Sequence, residues 1–362
     1  MNTTRVRLRD SPLARFLLAV YVLLVVYASL YPLSGWREPG GPALEFLTAP
    51  WPRYVTFFDL AANFLGYIPY GLLCVLVVHA RMSGSAALLL ATVSGGALSL
   101  MLESGQSFLP ARIPSNIDVL SNAAGAACGG LAAVVGARWL LAGGPLQRLR
   151  AQAFMPGAAA DLGLLLLGLW LFAQLNPATL LFGSGDLRDL FAGAVGERHE
   201  AELFVSVEAA TTAANLAAVA LLASAGARTD APIRRLVAAL IVVALLVKTC
   251  AFAVVMRAEH VFAWLTPGAQ LGLVVGVALA LATLWLPRTF RLALAAVLLM
   301  AATVLVNLAP SNPYLAATLK VWEQGHFLNF NGLTRLVSAA WPFAALGYLV
   351  YLAAGRLRHP LR

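Results

Sequence analysis

The chain has 362 residues, of which 60% are hydrophobic and 11% charged, and its mean hydropathy is +0.81; a soluble domain is nearer about 25% charged. That composition excludes an ordinary soluble enzyme. It also excludes reading the net charge of +9 as a nucleic-acid footprint, because the basic residues flank apolar runs and report membrane topology.

Apolar runs of roughly 18 residues or more, enough for a helix to cross about 30 Å of hydrocarbon, recur along the chain. In chain order they predict helices near 16–33, 58–79, 85–103, 118–141, 157–180, 204–224, 235–256, 264–286, 291–309 and 335–354. The fold class is therefore all-α: a polytopic transmembrane bundle of about ten helices. The first run, "FLLAVYVLLVVYASLYPL", follows Arg5, Arg7, Arg9 and Arg15. It is longer than a signal-peptide core and lacks a good small-residue cleavage pattern, so it reads as an uncleaved helix.

With a cytoplasmic N-terminus, 16 of the 25 Lys and Arg residues fall inside and 8 outside, and Lys248 falls within a helix. The bias places both termini in the cytoplasm. Trp36, Trp51, Tyr54 and Trp322 then fit an outer interfacial belt. The stretch "LAGGPLQRLRAQAFMPGA" separates a four-helix unit, 1–142, from a six-helix unit, 157–362. Cys74, Cys128 and Cys250 lie inside apolar runs and read as small buried side chains. No zinc pattern, P-loop, dinucleotide fingerprint or low-complexity tract appears.

Two stretches stand out: "FDLAANFLG", Phe58 to Gly66, and "IDVLSNAAG", Ile117 to Gly125. Each places an Asn four residues after an Asp and a Gly three later, so Asp59 and Asn63, and likewise Asp118 and Asn122, share a helix face. Both Asp residues stand at outer helix N-termini, where a carboxylate is also a favourable cap. Between them, "LSLMLESGQSFLPARIPSN" carries Glu103, Gln106 and Arg112 to the same layer. A Glu103–Arg112 ion pair is one reading of that cluster. Interhelical hydrogen bonding by the Asn residues and close packing by the glycines are the structural alternatives. Together the groups point to a functional polar pocket, because ionisable residues at the edge of a membrane bundle are costly.

The ordered set Asp59, Asn63 and Gly71 with "ESGQSFLPARIPSNIDVLSNAAGAACG" resembles the VanZ-like family of integral membrane proteins, over residues about 55–140. The family pattern falls on Asp59, Asn63, Glu103, Gln106, Arg112, Asp118 and Asn122. The resemblance implies a bacterial cytoplasmic (inner) membrane protein whose founding relative is associated with low-level resistance to the glycopeptide teicoplanin. It supplies no established reaction, and the six-helix C-terminal part is an addition to a minimal family member.

In that part, Glu208 and Asn215 share a helix with Thr211 and Thr212, and Lys248 lies on the next. A Glu208–Lys248 pair is the expectation, with a proton or ion path as the sharper alternative. The segment "APSNPYLAATLKVWEQGHFLNFNGLTRL" reads as an interfacial anchor or a lid, with His326 as a candidate acid/base.

Three functions compete. The first is a binding protein whose pocket takes the headgroup of a membrane lipid or lipid-linked cell-envelope precursor, with Arg112 on phosphate and the Asn and Gln groups on sugar or amide. The second is an enzyme on such a lipid, using paired carboxylates or a divalent cation, Mg or Ca, held by Asp59, Glu103 and Asp118. The third is a transporter or scaffold.

Overall fold

The computed structural model describes residues 12–51, 56–140, 144–188, 201–255, 261–308 and 328–357. All ten expected helices have counterparts. They are α1 (Leu13–Leu30), α2 (Phe57–Val78), α3 (Gly84–Gln106), α4 (Asn116–Val135), α7 (Ala158–Ala173), α8 (Ala201–Gly226), α9 (Ile233–Val255), α10 (Pro267–Thr283), α11 (Arg288–Leu308) and α12 (Leu328–Leu357). Two short helices, α5 (Ala137–Leu140) and α6 (Pro145–Ala153), follow α4. Eight of the helices are long and apolar enough to cross a bilayer, while α7 and α10 are shorter. Arg5, Arg7, Arg9, Tyr54, Trp322 and His326 lie outside the described residues.

The chain divides into two units, residues 1–151 and 152–362, with the break inside α6. In the first, α2 and α4 run parallel in direct backbone contact. A Cβ at Gly125 would strike the Phe64 carbonyl, one at Gly129 the Ile68 carbonyl, and one at Gly71 the Ala126 carbonyl. Without a hydrophobic drive between helices in lipid, small residues that permit such approach hold the pair. Around it lie Tyr67, Tyr70, Cys74, Val75, Ala87, Ala91 and Ala133. Gly66 breaks the analogy with Gly125, because a Cβ there would meet nothing within 4 Å. Its carbonyl instead accepts the Tyr21 hydroxyl at 2.5 Å.

The second unit is built around α8, whose Leu216–Ala223 run is buried on every face, as expected of a helix with little amphipathic bias. Along α10, Gly268, Gly272 and Gly276 lie against Val205 to Leu216 of α8, a small-residue stripe that lets those two helices meet closely.

Two expectations are corrected here. Of the three cysteines read as buried, only Cys74 is, and Cys128 and Cys250 are exposed because they lie on helix faces turned away from the packed neighbours. The predicted helix 157–180 stops at Ala173, because Pro177 lacks an N–H and disfavours helical geometry at Asn176. At 1.5 Å per residue α7 covers only about 24 Å. The chain continues as buried coil, with Gln174, Asn176, Leu181, Phe182 and Ser184 all at or below 3% exposure. Side chains replace the lost helical bonding: Gln174 accepts the Phe182 N–H, Thr212 donates to the Leu181 carbonyl, and Asn307 bonds Gly185 and Leu187. Residues 328–336, read from sequence as part of a lid or anchor, form the first turns of α12.

Candidate functional site

The polar groups of the first unit gather at the N-terminal ends of α2 and α4 and the C-terminal end of α3. Thr56 caps α2: its hydroxyl accepts the Asp59 N–H at 3.1 Å and donates to the Asp59 carboxylate at 2.6 Å. This is the reciprocal logic of a capping box. Ser115 stands at the equivalent position of α4 with Asp118 three residues on, but the contacts differ. The Ser115 N–H donates to Glu103 Oε2 at 2.8 Å, so a carboxylate from α3 takes the position that the helix's own third residue would fill. Asp118 faces Asn63 of α2 instead, with Asp59 and Glu103 in electrostatic range.

Glu103 and Gln106 are buried because α3 extends three residues beyond its expected end at 103. Gln106 Nε2 donates to the Ser29 carbonyl at 3.1 Å. Arg112 donates from Nε and Nη2 to the Tyr31 carbonyl at 3.0 and 2.8 Å, and from Nη2 to the Ala28 carbonyl at 3.0 Å. These are the carbonyls that the end of α1 leaves without helical partners, and a cation there also opposes the helix dipole. Burial pulls the guanidinium's pKa down, with the Glu103 charge acting against that pull. Arg112 is thus engaged with backbone. The Glu103–Arg112 ion pair, an expectation from sequence, gives way to a clasp on α1.

One turn deeper, Asn122 Nδ2 donates to Ser99 Oγ at 2.8 Å, and Tyr67 lies beside the same serine. Asn122 Oδ1 is buried without a hydrogen-bond partner among the described residues. Ser99 and Tyr67 were not singled out from sequence, although each sits four residues from a group that was, Glu103 and Asn63. Deeper still, the Tyr70 hydroxyl donates to Ser94 Oγ at 2.9 Å. A polar seam therefore runs inward between α2, α3 and α4 from the half-buried Asp59, Asn63 and Asp118.

Over this end lie residues 31–51, which follow α1. Arg37 N–H donates to the Phe108 carbonyl, Ser107 to the Ala43 carbonyl and Asn116 Nδ2 to the Ala49 carbonyl. Trp51, Phe57 and Ile113 are 71%, 86% and 88% exposed at the same end, a placement suited to the membrane interface. Among the described residues no three His, Cys, Asp or Glu side chains stand close enough to share a metal ion, so the three-carboxylate Mg or Ca site has no geometry here.

In the second unit, Glu208 and Lys248 do not form the expected pair. Glu208 is turned to the N-terminus of α10, beside Gly268 and with Thr266 as hydrogen-bond partner, where the helix dipole favours a carboxylate. Lys248 bonds the backbone of the coil after α7. Asn215 Oδ1 accepts the Ser184 hydroxyl.

Residues 16–137 match the VanZ/LLP1 family model. The VanZ-like resemblance thus holds over a segment of the chain, and the matched segment includes α1, whose carbonyls Gln106 and Arg112 hold. No curated protein and no solved structure matches the chain.

Proposed function

We propose that the VanZ-like unit of this multi-pass membrane protein binds the polar headgroup of a membrane lipid or lipid-linked cell-envelope precursor at the end where α2 and α4 begin. The observation that carries this reading is the pairing of Asp118 with Asn63. Glu103 has taken over the Ser115 N–H, so the Asp118 carboxylate faces Asn63 across the α2–α4 pair at half-buried depth. A carboxylate held beside an amide at the bundle edge offers acceptors and donors to hydroxyl, amide or ammonium groups. The acyl or prenyl chain would lie along the lipid-facing helices, with Trp51, Phe57 and Ile113 at the interface. In this reading the end faces outward from a bacterial cytoplasmic membrane, where glycopeptides of the teicoplanin type act; the arginine bias supports the sidedness and the VanZ-like resemblance supports the choice of membrane.

The test is lipid retention. The full chain and its Asp118→Asn and Asn63→Leu variants are purified from native membranes, and the bound lipids are identified by mass spectrometry. The expected result is one lipid class enriched over the bulk membrane with wild type and lost from both variants, each still monodisperse. Equal enrichment in all three proteins overturns the reading.

A further inference from the structure

At one end of the second unit α8 stops and α9 begins, and α10 stops and α11 begins. Two contacts tie these turns together. Arg288 at the start of α11 donates from Nη2 to the Ala225 carbonyl of α8 at 2.7 Å, and the Arg234 guanidinium carbon of α9 stands 4.3 Å from the centre of the Trp285 ring that follows α10. Arg228, Arg234, Arg235, Arg288 and Arg291 lie at this end with two carboxylates, Asp161 and Asp230. Asp230 is held by Arg228 at 2.9 Å. Positive charge is therefore in excess, five groups against two.

Arg234 and Arg235 are set apart from the other three. Both are exposed in the first turn of α9, and among the described residues neither guanidinium has a hydrogen-bond or ion-pair partner. The contact of Arg234 with Trp285 uses its charge and none of its five N–H donors. No acidic residue occupies the first turn of α9, where the helix dipole itself disfavours a cation. With Pro232 and Ile233 the two arginines line an open cavity of about 450 Å³, within the size range of ligand sites.

Depth in the membrane narrows the occupant. Trp285 and Phe290 are 77% and 64% exposed, and aromatic side chains at the ends of membrane helices sit at headgroup level. Contact with Trp285 then holds Arg234 at the depth of lipid phosphates. The arginine bias supports the cytoplasmic side for this end, where anionic lipids attract basic groups. A guanidinium also matches a phosphate with its planar fork of donors.

We propose that Pro232–Arg235 and Trp285 form a docking site for one acidic phospholipid. Arg234 and Arg235 hold its phosphodiester in the cavity, and its acyl chains run along the exposed apolar surface at Leu281 and Leu286. The site lies outside the VanZ-like segment and is independent of the headgroup reading for the first unit.

The test titrates the full chain in detergent with phosphatidylglycerol, or with phosphatidylcholine of the same acyl chains, and follows thermal unfolding. Phosphatidylglycerol is expected to raise Tm saturably, whereas phosphatidylcholine and inorganic phosphate are not. Combining Arg234→Gln with Arg235→Gln, both at exposed positions, should shift the phosphatidylglycerol midpoint at least about tenfold, the scale of two arginines near an anionic surface. Arg81→Gln combined with Arg148→Gln removes as many exposed arginines from the first unit and should leave the midpoint unchanged. Asp118→Asn should leave it unchanged too, which separates this site from the headgroup site. No selective rise with phosphatidylglycerol, an equal rise with inorganic phosphate, an unchanged midpoint in the Arg234 and Arg235 variant, or an equal shift in either control overturns the proposal.

Discussion

Glu103 of α3 caps α4: its Oε2 accepts the Ser115 N–H at 2.8 Å, joining two helices at the point where the candidate site opens. Glu103→Ala leaves that N–H without its partner in a buried setting, and the expected loss is about 1–3 kcal/mol. Glu103→Gln retains an acceptor oxygen and should lose less than half as much. Thermal unfolding of both variants in detergent checks the order. Equal losses would mean that the cap contributes nothing.

Arg112 should not tolerate lysine. Its Nε and Nη2 reach the carbonyls of Ala28 and Tyr31 together, a planar fork that an ammonium cannot reproduce. Arg112→Lys is expected to destabilise the first unit by about 1–3 kcal/mol. Thermal unfolding of the variant in detergent checks this, and a loss below about 0.5 kcal/mol would remove the clasp from the account.

The glycines of α2 and α4 separate cleanly. Gly129→Ala and Gly125→Ala would drive a Cβ into the carbonyls of Ile68 and Phe64, where neither backbone can yield cheaply. A loss of at least about 1–3 kcal/mol is expected, the scale of overpacking. Gly66→Ala meets open space and should be neutral, or stabilising by up to about 1 kcal/mol through helix propensity. Purification yield and Tm of the three variants, measured together, test the contrast.

Among pH effects, the Arg228–Asp230 pair gives a sign. Its hydrogen bond from Arg228 holds the Asp230 carboxyl below the usual range. Its contribution is present above the unfolded-state pKa and fades as pH falls through the depressed folded one. The pair is solvated, and such pairs contribute little. Asp230→Asn should therefore leave the acid limb of the stability profile unchanged, and a visible shift would show the pair to be coupled to something larger.

Sequence alone determined the helical membrane fold, the motif residues and the near repeat of Asp59–Asn63 in Asp118–Asn122. Hydrophobic run length and fixed spacing report those directly. The contacts that distinguish the two copies are invisible in spacing. Thr56 caps Asp59's helix locally, whereas Ser115 is held by Glu103 from 12 residues away, and only folding decides which carboxylate reaches which N–H. The same holds for Arg112, read from sequence as a partner for Glu103 or for phosphate, which becomes a clasp on the carbonyls at the end of α1.

In the second half, the apolar run 157–180 concealed a helix that ends at Ala173, because hydropathy counts apolar side chains and not backbone bonding. Tertiary structure alone decided that Lys248 turns to the Asn176–Thr179 carbonyls and Glu208 to the start of α10. A charge in a membrane bundle takes the partner that the packing brings within about 3 Å, not the opposite charge that the sequence offers.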